Sequence, residues 1–318
     1  MGLEKIVVVK KRTPLEELLV RHGTTSQVRF YLESRGESYS FYKDADEAYR
    51  GGLSSTLKSI PSSLKSQVID KGDLATFQFS NRDLVVVVGD PGLFVNVAKY
   101  TREQPIITVN PDQQRFNDIF TSCIPQHFDG LLKKVLNEEA GYERLTLAEA
   151  TLEDGQKLLA LNEFFIGRKT HVSARYQIEY GGKRERQSSS GLIVLTGTGS
   201  TGWFTSIMLG AYELARKRSS NVEMEEDLDP KEINFLRDSN YLMFAVREPF
   251  PSKVTGTNIV YGKVTDSYRL KVTSNMPEEG VIFSDGIESD FIEFNAGHTV
   301  TIAPAKQKAC RVVGINYT

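Results

Sequence analysis

Two glycine-rich turns and a few carboxylates are the residues of this chain whose types and spacing suit chemistry. The longer turn is Thr196-Gly197-Thr198-Gly199-Ser200-Thr201-Gly202-Trp203. An apolar run from Gly191 to Leu195 leads in, and a helical pattern from Trp203 to Arg218 leads out. Backbone N–H groups at a helix N-terminus attract anions, and glycines let a phosphate come close. The hydroxyls of Thr198, Ser200 and Thr201 add donors and can cap the helix. The shorter turn, Gly89-Asp90-Pro91-Gly92, follows the β-branched run Leu84 to Val88. In open α/β sheets ligands gather at the carboxyl ends of strands. A carboxylate there can take a proton from a hydroxyl or hold Mg²⁺. Asp, Pro and Gly are equally the residues of an ordinary tight turn.

Gly197, Gly199 and Gly202 also match the bare G-x-G-x-x-G dinucleotide fingerprint. That motif requires a second strand after its helix, ending in an acidic residue about 20 positions on. Here the helix runs into Arg216-Lys217-Arg218 and then the acidic run Glu223 to Asp229, with no strand pattern before Tyr241. A Rossmann unit is therefore not the expectation. The acidic run reads as a solvated surface loop.

The elements that must position these turns change style along the chain. Ile6 to Val9 and Leu84 to Val88 read as buried strands, the second of the kind covered on both faces. Leu15 to Arg21, Gln27 to Ser34, Asp46 to Ile60 and Leu93 to Tyr100 read as helices, and Pro105 to Val109 as the next strand. Strand, glycine turn, helix and strand make a βαβ unit. Beyond residue 125 most segments are strand-like: Leu158 to Ile166, His171 to Tyr180, Gly191 to Thr196, Tyr241 to Val246, Ser267 to Thr273, Val281 to Ser284 and His298 to Ile302. The expected architecture is α/β plus β-rich. Residues 1–125 form a doubly wound α/β domain and 126–304 a β-sandwich-like domain that binds the dinucleotide. Residues 305–318 form a tail packing back on the first domain.

Composition removes several classes. The 318 residues carry a formal net charge of -2, which argues against broad nucleic-acid binding, since that needs a strongly basic face. Cys123 and Cys310 make neither a disulfide framework nor a zinc pattern. No stretch approaches the roughly 18 apolar residues of a membrane helix, and the N-terminus lacks a signal-peptide pattern. The expectation is a cytoplasmic protein without membrane partners. His22, His127, His171 and His298 are dispersed and read as structural or surface residues. Arg247-Glu248-Pro249-Phe250, before Pro251-Ser252-Lys253, is a candidate cleft or interface loop. Arg247 and Lys253 can meet a phosphate there, or simply form surface ion pairs.

Taken in order, these blocks resemble the NAD kinase family from about residue 84 onward. The strand and turn Val85 to Gly92 come first, then Leu161-Asn162-Glu163, similar to the family's Asn-Glu pair. Ser190-Gly191-Leu192-Ile193-Val194 leads into Thr196 to Trp203, similar to the family's Thr-Pro-Thr-Gly-Ser-Thr-Ala-Tyr turn. Ser284-Asp285-Gly286 before Gly297-His298-Thr299-Val300 resembles the family's late Asp-containing hairpin. The resemblance implies a phosphotransferase with ATP as donor and Mg²⁺ as cofactor. The 2′-hydroxyl of NAD would attack to give NADP, in a homodimer or homotetramer with its active site between the domains. It implies that Asn162 and Glu163 bind the adenosine half, where an amide can read a base edge and a carboxylate can accept from ribose hydroxyls. Thr198, Thr201, Gly202 and Ser206 would line the dinucleotide site, with Trp203 beside a ring and Asp285 near the reacting phosphates.

Three positions depart from the family. Aligned on Gly89 and Gly92, the catalytic aspartate of Gly-Gly-Asp-Gly-Thr is replaced by Pro91, which can neither take a proton nor donate from its nitrogen. Asp90 lies one place earlier and is the remaining carboxylate for the role. Leu93 replaces a threonine, and Ser190 an aspartate that would meet the nicotinamide end. The Ser-Ser-Gly strand with a Thr-Gly-Thr-Gly-Ser turn resembles the mitochondrial branch of the family. The alternatives are a nucleotide-binding homologue with impaired catalysis, and a kinase for another hydroxyl acceptor, a lipid or a sugar.

Overall fold

The computed structural model describes residues 2–115, 119–218 and 233–314, apart from the side chains of 288 and 289. The acidic run Glu223 to Asp229 lies outside them. The chain divides into two compact units, Met1–Glu143 with Ala309–Thr318, and Arg144–Lys308. Each is described by itself.

The first unit is built on four parallel strands. They are β1 (Lys5–Lys10), β2 (Lys65–Asp70), β3 (Asp83–Val88) and β4 (Pro105–Val109), in the order β2-β1-β3-β4. All six residues of β3 are buried, as a β-branched run between two covered faces must be. Each of its apolar side chains, Leu84 to Val88, contributes about 1.5–3 kcal/mol when taken from water. The helices are α1 (Pro14–His22), α2 (Thr25–Glu33), α3 (Tyr39–Lys58), α4 (Pro91–Ala98) and α5 (Phe128–Leu136). Thr13 and Glu16 close a capping box on α1, with Pro14 in the first turn, where a missing N–H costs nothing. One face of the sheet, Ile6, Val8, Leu84, Val86 and Val88, packs on Phe128, Leu131, Leu132 and Val135 of α5, with Leu53 and Leu57 of α3 against the same cluster.

That apolar stripe of α5 explains why the first unit runs past the residue-125 boundary read from the sequence. The helix buries its hydrophobic face on the parallel strands, so it folds with them. The C-terminal residues also join this unit. Cys310 and Arg311 pair in parallel with β4, and the Arg311 guanidinium meets Glu143 at 2.7 Å.

The second unit is antiparallel. Its strands are β5 (Tyr142–Leu152), β6 (Lys157–Ala160), β7 (Glu163–Arg168), β8 (Ala174–Tyr180), β9 (Lys183–Ser189) and β10 (Leu192–Leu195), followed after α6 (Trp203–Arg218) by β11 (Leu242–Val246), β12 (Tyr261–Val264), β13 (Leu270–Ser274), β14 (Gly280–Ser284), β15 (Ile287–Glu293) and β16 (Thr299–Val312). One sheet has the order β12-β11-β10-β7-β14-β15. Its inner face, with Phe164, Ile166, Leu192, Val194 and Phe244, packs against Tyr176, Ile178, Val272 and Val300 of the β16-β13-β8-β9 layer. This is a sandwich core of interdigitating inward residues. The opposite face of the first sheet is covered too. Ile193, Leu195 and Ala245 pack on Phe204, Ile207 and Met208 of α6. Cover on both sides explains why β10 reads as an unbroken apolar run.

Several expectations change. Leu158 to Ile166 is not one strand but two, broken at Leu161-Asn162. α3 begins at Tyr39 rather than Asp46, after Ser38 at its N-cap position. β2, β5, β9, β12, β15 and α5 were not expected at all. β2 is exposed along most of its length, and β9 reads Lys-Arg-Glu-Arg-Gln-Ser-Ser, so neither shows apolar alternation.

Candidate functional site

The site begins with the break after β6. Asp285 follows β14 at φ 56°, and its carboxylate accepts from the backbone N–H groups of Leu161 at 3.1 Å, Asn162 at 2.6 Å and Glu163 at 3.3 Å. A carboxylate taking several backbone donors fixes their geometry strongly. It bends the chain at Leu161-Asn162 and aims Glu163 off the start of β7. Burial, with the Asp285 charge second, pushes the Glu163 carboxyl up from 4.5 to about 7.

From Glu163 the alternation of a strand places Phe165 on the same face. Phe165 is registered opposite Phe283 of β14, and their rings stack with centroids 6.3 Å apart. On the other side Phe165 stacks on Trp203 at 5.7 Å. Arg247, just past β11, is tied by its backbone to the loop before β10. Its N–H donates to Gly191 O at 2.8 Å, and its carbonyl accepts from Ser190 N at 3.0 Å. The Arg247 guanidinium then lies 5.0 Å from the centre of the Trp203 ring.

These residues enclose a pocket of about 470 Å³ lined by Glu163, Phe165, Ser190, Trp203, Arg247 and Phe283, with Arg168, Lys169, Thr170, His171, Val172 and Gly286 around them. It lies wholly in the second unit. Stacked aromatic faces with converging polar groups are what a flat heteroaromatic ligand requires.

The central turn leads into this pocket, but its glycines do something other than admit phosphate. A Cβ on Gly197 would stand 2.1 Å from Leu236 O, and one on Gly199 would stand 2.2 Å from Asn162 O. Both glycines let two backbones touch. Thr196 is internal as well, donating to Leu161 O and accepting from Thr198 N at 3.1 Å and Gly199 N at 3.3 Å. Ser200 donates to Gly197 O at 2.8 Å. Three other features of the turn face outward or lack a protein partner. Thr201, Gly202 and Trp203 are exposed, a Cβ on Gly202 would come no nearer than 3.8 Å to its surroundings, and the buried Thr198 Oγ1 has no hydrogen-bond partner. Ser206, on the first turn of α6, is exposed and reaches Gly202 O at 3.5 Å.

The first turn belongs to the first unit and is a helix start. Asp90 is the N-cap of α4, accepting from Leu93 N at 3.0 Å, and Pro91 takes the first helical position. The other Asp90 oxygen pairs with Lys11 Nζ. Lys11 follows β1 and Asp90 follows β3, so the pair sits at the carboxyl ends of adjacent parallel strands. Gly89 joins β3 to this cap, its N–H donating to Val109 O at 3.1 Å. Gly92 is the second residue of α4.

Of the residues singled out in the sequence, Glu163, Ser190, Trp203 and Arg247 meet in one pocket. Asn162 adjoins it through Glu163, and Thr198, Thr201, Gly202 and Ser206 belong to the turn and helix that carry Trp203. Asp285, expected near the reacting phosphates, has a carboxylate that accepts from three backbone N–H groups. Phe165, Phe283, Arg168 and Lys169 were not expected in the site. The two-residue spacing from Glu163 to Phe165 is the signal that could have found the first of them. His171, read as a surface residue, lies on the pocket rim.

The donor set does not fit a Mg²⁺ ion held by the protein. An ion held by the protein without a nucleotide needs several free oxygens around it, whereas one shared with a triphosphate needs one or two carboxylates. Asp90 and Asp285 are committed to Lys11 and to backbone donors, and the described residues contain no group of three His, Cys, Asp or Glu side chains able to hold a metal. Among the described residues no helix is long and apolar enough to cross a membrane.

No known family model matches the chain. In sequence it is 28% identical over 188 residues to the mitochondrial NAD kinase 2 of Xenopus tropicalis, a match spanning 48% of this chain and 43% of that protein. Among solved structures it is similar to an NAD kinase from Archaeoglobus fulgidus in complex with ATP. The TM-score is 0.53 at 18% identity, with 97% of this chain and 93% of that one covered. It is also similar to the yeast NADH kinase complexed with NADH. There the TM-score is 0.56 at 13% identity, with 99% and 84% covered. The chain thus shares its fold with these two kinases and is similar in sequence to an NAD kinase over about half its length.

Proposed function

We propose that this chain is an NAD kinase-type phosphotransferase, moving the γ-phosphoryl group of ATP to the 2′-hydroxyl of NAD. The observation that carries the reading is the single pocket that gathers Glu163, Ser190 and Trp203, residues distant in sequence that the family resemblance independently assigns to the dinucleotide. The sequence match to an NAD kinase and the fold shared with ATP-bound and NADH-bound relatives support it.

In this reading Asn162 and Glu163 hold the adenosine half. Ser190 and Trp203 meet the nicotinamide half, and Thr198, Thr201, Gly202 and Ser206 line the path between. Phosphoryl transfer is mostly positioning and electrostatics. The 2′-oxygen attacks the γ-phosphorus, the bond to the ADP oxygen breaks, and the hydroxyl proton must leave. The family resemblance assigns the receipt of that proton to Asp90 of the first turn, between Gly89 and Gly92, and Lys11 pairs with that carboxylate. Asp285 acts through Glu163 and Asn162 as a positioning residue. Mg²⁺ comes with the triphosphate rather than with the protein, and no step here is assigned to it. A homodimer or homotetramer and a cytoplasmic location belong to the same reading.

Incubation of the chain with ATP, Mg²⁺ and NAD, with product read by an NADP-specific dehydrogenase, tests it. NADP that accumulates in proportion to protein and vanishes without ATP is the expected result. Binding of NAD with no NADP formed would overturn the assignment and leave a nucleotide-binding homologue.

A further inference from the structure

The charge on the pocket wall bears on which redox form of a dinucleotide it takes. Oxidised and reduced nicotinamide rings are nearly the same size, but the oxidised ring carries a positive charge and the reduced ring is neutral. A cationic ring is held best by an open aromatic face or by a nearby carboxylate. The face of Trp203 is already occupied, with the Arg247 guanidinium 5.0 Å from the ring centre. Ser190, which stands beside Arg247 through their backbone hydrogen bond, brings a neutral hydroxyl.

The rest of the wall adds to the same bias. Arg168, Lys169 and His171 also line the pocket, and among the described lining residues the acid is Glu163. The carboxylates that pair with these cations are Glu278 and Glu279 for Arg168 and Glu248 for Arg247, and none of the three lines the pocket. Lys169 Nζ lies 3.7 Å over the Phe291 ring, so that aromatic face is occupied as well. Asp285, next to Gly286 of the lining, turns its carboxylate to three backbone donors and keeps its charge, which Glu163 feels.

We propose that this pocket selects the reduced, uncharged nicotinamide ring over the oxidised, cationic one, and that Arg247 on the face of Trp203 is the residue that makes the choice. The inference rests on the pocket being a dinucleotide site, as proposed above. Pyrophosphate, ribose and adenine are common to the two forms, so their contacts cancel in the ratio of affinities. What remains is the interaction of one unit of charge with the Arg247 edge of the pocket.

Equilibrium titration of the chain with NAD⁺ and with NADH tests this at low ionic strength, where surface charges are least screened. NADH should bind about tenfold more tightly than NAD⁺, the ratio expected for one like-charge contact at this range in a half-open site. Arg247→Gln should bring the ratio close to one, chiefly by tightening NAD⁺, and Arg247→Lys, which keeps the charge, should preserve a preference for NADH. Added salt should shrink the wild-type ratio. Equal affinities in the wild type, or a ratio that Arg247→Gln leaves unchanged, would overturn the selection while leaving the kinase reading intact. Failure of both dinucleotides to bind would overturn both. The wild-type ratio decides the matter even if a variant fails to fold.

Discussion

The two glycine-rich turns look alike in the sequence and serve different ends. At the first, Asp90 caps α4 and pairs with Lys11, and Pro91 occupies the helix position that tolerates it best. Its glycines join a strand to a helix. At the second, Gly197 and Gly199 let the turn lie directly on the backbones of Leu236 and Asn162, and Thr196 and Ser200 spend their hydroxyls inside. What stays open is the end of the turn, where Trp203 enters the pocket. A glycine-rich turn therefore need not be a phosphate cradle. The test is what a Cβ would strike: a protein backbone at Gly199, and only an ordinary van der Waals contact at Gly202.

The contrast can be broken in one unfolding experiment. Gly199→Ala forces a Cβ onto the Asn162 carbonyl, and should cost about 3 kcal/mol, at the upper end for overpacking against an unyielding neighbour. Asp90→Ala removes a helix cap and a partly exposed ion pair, and should cost about 1 kcal/mol. Urea midpoints for the two variants should fall in that order. A mild Gly199→Ala beside a severe Asp90→Ala would reverse the account of which turn is built into the core.

A smaller effect sharpens the second turn's neighbourhood. The Glu163 carboxyl is raised from 4.5 to about 7 in the folded protein. The folded state therefore binds the proton more tightly than the unfolded chain does. This contribution is fully present below pH 4.5 and is lost as pH rises through about 7. Relative to Glu163→Gln, the wild type should lose on the order of 1–2 kcal/mol between pH 5 and pH 8, a figure discounted because solvent reaches the group through the pocket. Parallel pH–stability curves for the two proteins would contradict the assignment.

Much of this fold was legible because the signals were local. The unbroken apolar run of β3 announces a strand covered on both faces. The residues after Trp203 announce a helix, and the change to short strands announces the antiparallel unit. β2 and β9 were not legible, since one is an exposed edge and the other buries Gln187 and Ser189 rather than apolar residues. In the site, Glu163, Ser190 and Trp203 were reachable through the order of motifs. The part played by Asp285 was not, because it depends on hydrogen bonds to residues 161–163 across more than a hundred positions of sequence. Arg247 carried only the generic promise of a phosphate contact. Its place on the Trp203 ring comes from the loop around Gly191.

Trp203 is the single tryptophan of the chain, and with 36% of its surface exposed it lines the pocket that the functional reading depends on. Its fluorescence reports on that pocket with no competing signal from another indole. Titration with NADH should quench Trp203 saturably and produce sensitised emission from the reduced ring, with the sensitised emission lost on displacement by excess NADP⁺, whose oxidised ring does not fluoresce. An emission spectrum that stays unchanged while NADH demonstrably binds would place the dinucleotide elsewhere and contradict the central claim.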